Sequence, residues 1–184
     1  TRLPTTLPTF TPSKTPTPAP TVWVPTYRQA YQVETVSDSI NHPRGVCFSS
    51  DASFAMICDE DHRVSRIDFS TRTRTIVAGG GGIGNIDGGG TSASFNYPSA
   101  IVVSPDNTYS VIADSQNHRI RRYDHSTNQV TTIAGSSQGF GDGQGTNAEF
   151  FYPRSITLSF DSSFALIADV SNNLIRKLTL KTQT

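Results

Sequence analysis

The stretch that decides the fold is PSAIVVSPDNTYSVIADSQNHRIRRYDHSTNQVTTIAGSSQGFGDGQGTNAEF, residues 98–150. It is one unit of a repeat with a period of 55 residues. Coincident spacing at several landmarks indicates a repeat architecture, which has to be interpreted before any single residue. Each of three landmarks follows this period and occurs three times: Pro43, Pro98 and Pro153; Asp51, Asp106 and Asp161; Asp59, Asp114 and Asp169.

Within this unit, four short segments rich in β-branched residues are separated by turn signals. They cover residues 100–104, 109–113, 118–123 and 130–134. Each has the length of a strand and lacks helical periodicity. Four short antiparallel strands in a meander form the blade of a β-propeller, which buries both sheet faces against its neighbours. The sequence therefore predicts an all-β fold of about three four-stranded blades.

A set of recurring residues gives these units a family resemblance. In the second unit they include Asp114, Asn117 and Arg121, and in the third Asp169, Asn172 and Arg176. With the Thr-Ile-Ala-Gly run that ends at Gly135 and the Gly-Asp-Gly-Gln-Gly run at 141–145, they resemble the NHL repeat. The resemblance covers residues 32–180. The first unit departs from it, because it is one residue short after Asp59 and has Ser65 where an Arg is expected.

The resemblance implies an NHL-type propeller, a fold that serves as a protein scaffold, an RNA-binding module and, in a few proteins, an enzyme. We expect the recurring polar residues to be structural, with the carboxylates accepting hydrogen bonds from Asn, Arg or backbone groups where strands end. The expected structural residues are Asp59, Asp114, Asp169, Asn117, Asn172, Arg121 and Arg176. The usual number of blades in this family is six.

Composition and charge exclude several partners. The chain has 184 residues, with 15 basic and 15 acidic side chains and a formal net charge of zero. No global field therefore attracts nucleic acid or an anionic membrane. No apolar run approaches the length of a transmembrane helix, so we expect no membrane insertion. The chain begins with Thr1 and shows no signal peptide, so it is interpreted as a processed form or a fragment.

Residues 1–26 have a different composition, with seven of the eleven prolines and nine threonines. Such a segment cannot form a helix or a central strand. It is predicted to be an extended polyproline II-like segment preceding the propeller domain at residues 27–184. One interpretation is a stiff, solvated linker, and the other is an O-glycosylated stalk.

The same segment resembles hydroxyproline-rich extracellular glycoproteins, which implies hydroxylation of proline and attached glycans. The candidate glycosylation or hydroxylation sites are Thr11, Pro12, Thr15, Pro16, Thr17, Pro18, Pro20 and Thr21. The chain contains no Asn-x-Ser/Thr sequon, so N-glycosylation is not expected.

Residues 32–37 align with residues 129–134, which predicts an outer strand whose own blade is missing. The third unit, by contrast, lacks an outer strand. Because a propeller needs about four blades to close, something outside these 184 residues is expected to complete the ring. Further copies of the chain and further blades in a longer chain are both open.

No catalytic or metal-binding constellation is apparent. The four histidines lack metal-ligand spacing, and there is no Cys-x-x-Cys or Gly-x-Ser-x-Gly motif. Calcium binding by Asp142, Asn147 and Glu149, and phosphate binding by the Gly-rich loops, are the weaker alternatives to structural turns that carry Phe95 and Phe150 between blades. The basic run at 118–122 is interpreted as structural.

The two cysteines lie on the first two strands of the first unit. If residues whose numbers sum to 102 face each other, Cys47 lies opposite Ala55 and points away from Cys58. A disulfide is then not expected, although a shift of one residue would reverse this argument.

The sequence thus predicts a non-enzymatic extracellular or cell-surface structural or adhesion glycoprotein without cofactors. Its blades would bind protein partners or further copies of the chain, its Pro/Thr segment would be a glycosylated stalk, and a fibre or surface appendage is one form it could take. The alternative is an intracellular NHL scaffold or an RNA-binding module. An unmodified Pro/Thr segment would favour that alternative.

Overall fold

The computed structural model describes residues 32–37, 39–80 and 82–180. The predicted polyproline II-like segment and its candidate glycosylation sites lie outside these residues. The chain divides into two units, Thr1–Glu34 and Thr35–Thr184. The described residues of Thr35–Thr184 form an all-β fold, as predicted. No helix in the described part of the chain is long and apolar enough to cross a membrane.

The strands form three consecutive meanders, which we call blades 1, 2 and 3. In blade 1 the strands are β1 (Pro43–Phe48), β2 (Phe54–Asp59), β3 (Val64–Asp68) and β4 (Thr73–Ala78). In blade 2 they are β6 (Pro98–Val103), β7 (Tyr109–Asp114), β8 (Arg119–Asp124) and β9 (Gln129–Ala134), and the short β5 (Gly88–Gly89) pairs with β9. In blade 3 they are β10 (Pro153–Leu158), β11 (Phe164–Asp169) and β12 (Leu174–Thr179).

In the described residues, four short 3₁₀ helices lie in the connections, at Gly90–Ser92, Ser115–Asn117, Gly145–Asn147 and Val170–Asn172. The same hydrogen bonds stabilise the turn of the first hairpin in each blade. In blade 2, Asp106 Oδ1 accepts from Ser104 Oγ at 2.6 Å and from the Thr108 backbone nitrogen at 3.0 Å. Asp51 and Asp161 form the equivalent turns, and hydrogen bonds from the neighbouring serines lower the pKa of both carboxyls to about 2. The 55-residue period of these aspartates therefore marks the hairpin tips.

Neighbouring blades share a core, which explains why β7, which lies between blades 1 and 3, is buried at every position. Between blades 1 and 2, Met56 packs in one cluster with Ile101 and Ile112. Between blades 2 and 3, Val111 packs in a second cluster with Ile156. The inner strands β1, β6 and β10 are adjacent in this order. Both faces of blade 2 are thus buried, as a propeller requires of its blades.

The register of the first hairpin differs by one residue from the prediction. Cys47 lies opposite Met56, and Gly45 lies opposite Cys58. The two cysteines therefore share a face and are offset diagonally, a separation of about 7–8 Å that exceeds disulfide reach. Both are free thiols, and burial raises the pKa of Cys58 to about 12. The predicted register, in which Cys47 points away from Cys58, is therefore wrong.

The strand predicted at residues 32–37 is not formed. An outer strand needs the third strand of a blade as its ladder partner. In the described part of the chain, β3 and β8 already pair with β4 and β9. The sequence similarity to β9 is real, but it identifies a strand only when an unpaired third strand is within reach.

Gly135, where β9 ends, has φ of 83° and closely approaches both the turn before β8 and the loop before blade 3. A Cβ atom there would overlap the carbonyl oxygen of His118 and lie 2.9 Å from Phe150 Cδ2. We expect Gly135→Ala to lower the free energy of unfolding by about 2–3 kcal/mol, because it combines backbone strain with overpacking.

The matched control is Gly82→Ala, because Gly82 has φ of 81° but faces open space. We expect this variant to lose only the strain cost of about 1 kcal/mol. Urea denaturation of both variants is the measurement. Equal losses would show that the close approach to Phe150 has no energetic role.

Candidate functional site

The most elaborate polar site of the chain surrounds Asp114, the last residue of β7. Its carboxylate is fully buried and accepts three hydrogen bonds at 2.8 Å, from the Asn96 backbone nitrogen, Asn117 Nδ2 and Arg121 Nη1. Burial raises the pKa of Asp114, and the bonds from Asn117, Asn96 and Arg121 oppose that shift. We call the contact between Asp114 and Arg121 the Asp–Arg clamp of blade 2.

Arg121 lies on β8 and connects the clamp to the loop that enters blade 2. Its guanidinium also donates to the carbonyl oxygens of Ser94 at 3.0 Å and Ile86 at 2.9 Å. It lies 5.1 Å from the centroid of the Phe95 ring. Among the described residues, Arg121 Nε is the only buried side-chain polar atom without a hydrogen-bond partner. One buried guanidinium thus fixes a loop to two strands.

Asp87 extends this network to the outer strand β9. Its carboxylate accepts from Arg121 Nη2 at 2.7 Å, and from the backbone nitrogen and the hydroxyl of Thr132, each at 2.9 Å. Partial burial opposes ionisation, but the bonds from Thr132 and Arg121 outweigh it and lower the pKa of Asp87. The network therefore runs from β7 through β8 and the loop to β9.

Blade 3 repeats the same arrangement one period later. Asp169 accepts from the Phe151 backbone nitrogen at 2.7 Å, from Asn172 Nδ2 at 2.8 Å and from Arg176 Nη1 at 3.1 Å. Arg176 Nη2 donates in turn to Asp142 Oδ1 at 2.7 Å. The side chain of Asp142 is nevertheless 97% exposed, whereas that of Asp87 is 46% exposed.

Blade 1 achieves the same contact with an arginine from a different strand. Ser65 occupies the position of Arg121, and Arg74 on β4 reaches across it. Arg74 Nη2 lies 2.9 Å from Asp59 Oδ2, and its Nε donates to Ser65 Oγ at 3.1 Å. The substitution in β3 is therefore compensated from β4. Sequence reasoning missed Arg74; the pairing of a small residue on one strand with an extra arginine on the next could have indicated it.

The structure thus brings together the recurring polar residues of each blade, which hold its strands and the incoming loop in place. Arginines of the basic run at 118–122 likewise contact groups of their own blade. Arg121 is fully buried, and the Arg122 guanidinium stacks 3.9 Å above the ring of Tyr109. Arg66 lies over Phe54 at 3.7 Å, and Lys177 over Phe164 at 4.5 Å, in the same positions of blades 1 and 3. These cations cover aromatic side chains along each blade.

The Gly-rich loops form no cation site in the described part of the chain, where no three His, Cys, Asp or Glu residues come close enough to hold a metal. Asp142 binds Arg176, and Glu149 Oε2 accepts from the Gly141 backbone nitrogen at 3.3 Å. Phe95 and Phe150 are buried in the two clusters between blades. The calcium alternative is therefore not supported by this geometry.

Two histidines hold the residues that precede inner strands. The backbone nitrogens of Tyr97 and Tyr152 donate to Nδ1 of His62 at 3.0 Å and of His118 at 3.3 Å. Both tyrosines have positive φ, of 51° and 55°. An imidazole nitrogen can accept these bonds only when it is unprotonated. Burial lowers the pKa of His62 and His118, and also that of His125.

This geometry predicts a loss of stability in mild acid. Because the folded-state pKa of these histidines is lowered, the unfolded chain binds protons first as pH falls through about 6.5. We expect the free energy of unfolding to decrease from pH 7.5 to pH 5.5. His118→Asn should make this decrease shallower, since Asn173 occupies the same left-handed position in blade 3. Denaturant titrations at both pH values test this, and an unchanged pH dependence would contradict it.

Comparisons with known proteins agree with this architecture. No protein-family profile matches the sequence. The chain is 28% identical over 152 residues to Protein SUPPRESSOR OF QUENCHING 1, chloroplastic, from Arabidopsis thaliana, which covers 77% of this chain. It is 28% identical over 103 residues to NHL repeat-containing protein 2 from Bos taurus, covering 55% of this chain. In both cases the match spans 14% of the relative's own length.

Solved structures give the same result for the fold. An auxiliary nutrient binding protein from Bacteroides thetaiotaomicron superposes with a TM-score of 0.66 at 28% identity, over 79% of this chain and 39% of that protein. A similar protein from Bacteroides ovatus gives 0.65 at 25% identity, over 74% and 37%. Together with the three clamped blades, these similarities support an NHL-type β-propeller family for this chain.

Proposed function

We propose that the chain is a non-enzymatic scaffold for protein interaction, part of an extracellular or cell-surface structural or adhesion glycoprotein. The observation that carries the proposal is the use of the recurring charged residues. Asp59, Asp114 and Asp169 are each buried and held by an arginine of the same blade. Buried charges that are paired within a blade make that blade rigid, so recognition is left to the loops.

The loops between blades support this division of roles, because their exposed side chains differ from one loop to the next, whereas the buried Asp–Arg pairs recur. Ile83 and Ile86 are 67% and 63% exposed in the loop before blade 2. The loop before blade 3 has Gln138 and Gly141 at these positions and exposes 75% of Phe140 instead. Exposed aliphatic and aromatic side chains are common anchors of protein interfaces.

The composition of residues 1–26 supports the extracellular part of the proposal. Alternating Thr and Pro in this segment are typical of O-glycosylated stalks, and hydroxylated proline carrying sugar fits the same pattern. In this arrangement the stalk spaces the blades from their attachment. The intracellular or RNA-binding alternative has less support, since Arg121 is buried against Asp114 and the half-buried Arg122 lies over the ring of Tyr109.

Mass spectrometry of native material tests the glycoprotein part. Trypsin releases residues 3–14 and 15–28, which contain all the candidate sites. We expect heterogeneous mass additions on Thr11, Thr15, Thr17 or Thr21, or hydroxylation with sugar on the interleaved prolines. Unmodified peptides from native material would overturn the extracellular glycoprotein proposal and leave the scaffold proposal to be tested alone.

The scaffold part is tested on the loops. Ile83→Ser combined with Phe140→Ser removes two exposed apolar side chains outside the frame, so we expect unchanged unfolding and loss of a partner recovered by cross-linking from native extracts. Phe160→Ser, at a hairpin tip with 95% exposure, is the matched control. Equal recovery of the partner by all variants would exclude these loops from the interface.

A further inference from the structure

The face of blade 1 that points away from blade 2 has apolar residues at positions that form contacts between blades elsewhere in the chain. Ile101 and Ile156 are 5% and 8% exposed because each packs against the preceding blade. Val46 occupies the same position in blade 1 and is 66% exposed. Phe48, two residues further along β1, is 61% exposed. Along β1 this face is therefore apolar and uncovered, whereas Ile57, which pairs with Val46 from β2, is 6% exposed.

The opposite face of blade 3 is uncovered in the same way. Met56 and Val111 are 1% and 0% exposed because the following blade covers them, whereas the equivalent Leu166 is 39% exposed. Ile175 is 71% exposed, and its equivalent Ile120 is fully buried. Each end of the array therefore exposes apolar residues at positions that are buried between blades elsewhere: those of β1 at one end, and those of β11 and β12 at the other.

The edge of β12 also contains an empty groove of about 510 Å³. It is lined by β12 residues Leu174 to Leu178 and by the loop that carries Phe140, Asp142 and Gly143. In blade 2 the corresponding place is filled by β9. There the carboxylate of Asp87 accepts hydrogen bonds from the backbone nitrogen and the hydroxyl of Thr132. The exposed carboxylate of Asp142 is thus the unmatched counterpart of Asp87.

One segment of the same chain has the sequence required to fill this groove. Residues 32–37, QVETVS, match β9, QVTTIA, so that Thr35 corresponds to Thr132. The segment is in no strand, and Val33 is 97% exposed. Transferring the register of β8 and β9 places three complementary pairs side by side: Thr35 opposite Arg176, Glu34 opposite Lys177, and Val33 opposite Leu178.

We propose that residues 32–37 of one copy bind the β12 groove of a second copy as the outer strand of its blade 3. Thr35 then donates its backbone N–H and its hydroxyl to Asp142, and Glu34 pairs with Lys177. Two chains bound head to tail in this way have two identical contacts and close into a ring of six blades, which covers the exposed apolar residues of β1, β11 and β12. The proposal is independent of any glycan on residues 1–26.

A charge exchange across this contact tests the proposal. We compare the wild-type chain with Glu34→Lys and with Lys177→Glu, each alone and mixed in equal amounts, by sedimentation velocity over a range of concentrations. Each variant alone places like charges opposite each other at both contacts. In a mixed dimer the two substituted side chains, now of opposite charge, face each other at one contact. The native Glu34 and Lys177 face each other at the other contact, so both charge pairs are restored.

We expect a wild-type dimer, a dissociation constant raised about tenfold in each variant alone, and recovery in the mixture. Circular dichroism and thermal melts establish that each variant is folded. If Lys177→Glu does not fold, Glu34→Lys decides the matter alone, because residue 34 lies outside every strand. A wild-type chain that stays monomeric at tens of micromolar, or a dimer unaffected by the charge changes, would overturn the proposal, and the monomer would leave the groove to a strand from another source.

Discussion

Replacing Asp114 with alanine is expected to lower the free energy of unfolding by about 3–5 kcal/mol. The reason is that Arg121 is fully buried and would lose its buried carboxylate partner, keeping only the half-exposed carboxylate of Asp87. Asn117 and the backbone nitrogen of Asn96 would lose their acceptor as well. Equilibrium urea denaturation of the wild type and Asp114→Ala gives the difference directly.

The matched control is Asp61→Ala, which removes another aspartate paired with an arginine. Asp61 lies 3.4 Å from Arg63, and both side chains are about 40% exposed. An exposed pair of this kind contributes less than about 1 kcal/mol. A loss at Asp114 no larger than that at Asp61 would show that burial does not make the clamp important.

Phe150→Ala is expected to destabilise the protein by about 3–5 kcal/mol, the usual loss for a large aromatic side chain removed from a core. Phe150 is 3% exposed and packs in the cluster between blades 2 and 3. The guanidinium of Arg176 also lies 5.1 Å from its ring centroid. The variant should therefore weaken the contact between two blades as well as the loop that carries Phe150.

Phe160→Ala provides the comparison at constant chemistry, because Phe160 is 95% exposed at a hairpin tip. We expect a change within about 0.5 kcal/mol for this variant. Thermal unfolding followed by circular dichroism measures both. Similar melting temperatures for Phe150→Ala and the wild type would refute the assignment of Phe150 to the core between blades.

The repeat made most of the fold predictable from the sequence. A period that places Asp106 at a hairpin tip and Asp114 at a strand end also fixes the strands between them. Strand boundaries were predicted to within one or two residues for blade 2. The residues of the Asp–Arg clamp were singled out because Asp114 and Arg121 recur as Asp169 and Arg176.

Three features could not be obtained in this way, each because it depends on geometry between strands. The register at Cys47 depends on where one hairpin turns, and a single residue reverses the face. Arg74 replaces the missing arginine from another strand, which a residue-by-residue alignment of repeats does not show. Residues 32–37 have the sequence of a strand, but a strand also needs a partner.

The measurement that tests the account most directly is a double-mutant cycle of Asp114→Asn and Arg121→Met. The buried contact between these two side chains joins the loop, β7 and β8 of the blade. Free energies of unfolding of the two single variants and the double variant give the coupling between them. We predict a coupling of about 2 kcal/mol or more, because the second substitution removes a buried charge that the first left without its buried counter-charge. Losses that add within about 0.5 kcal/mol would contradict the account.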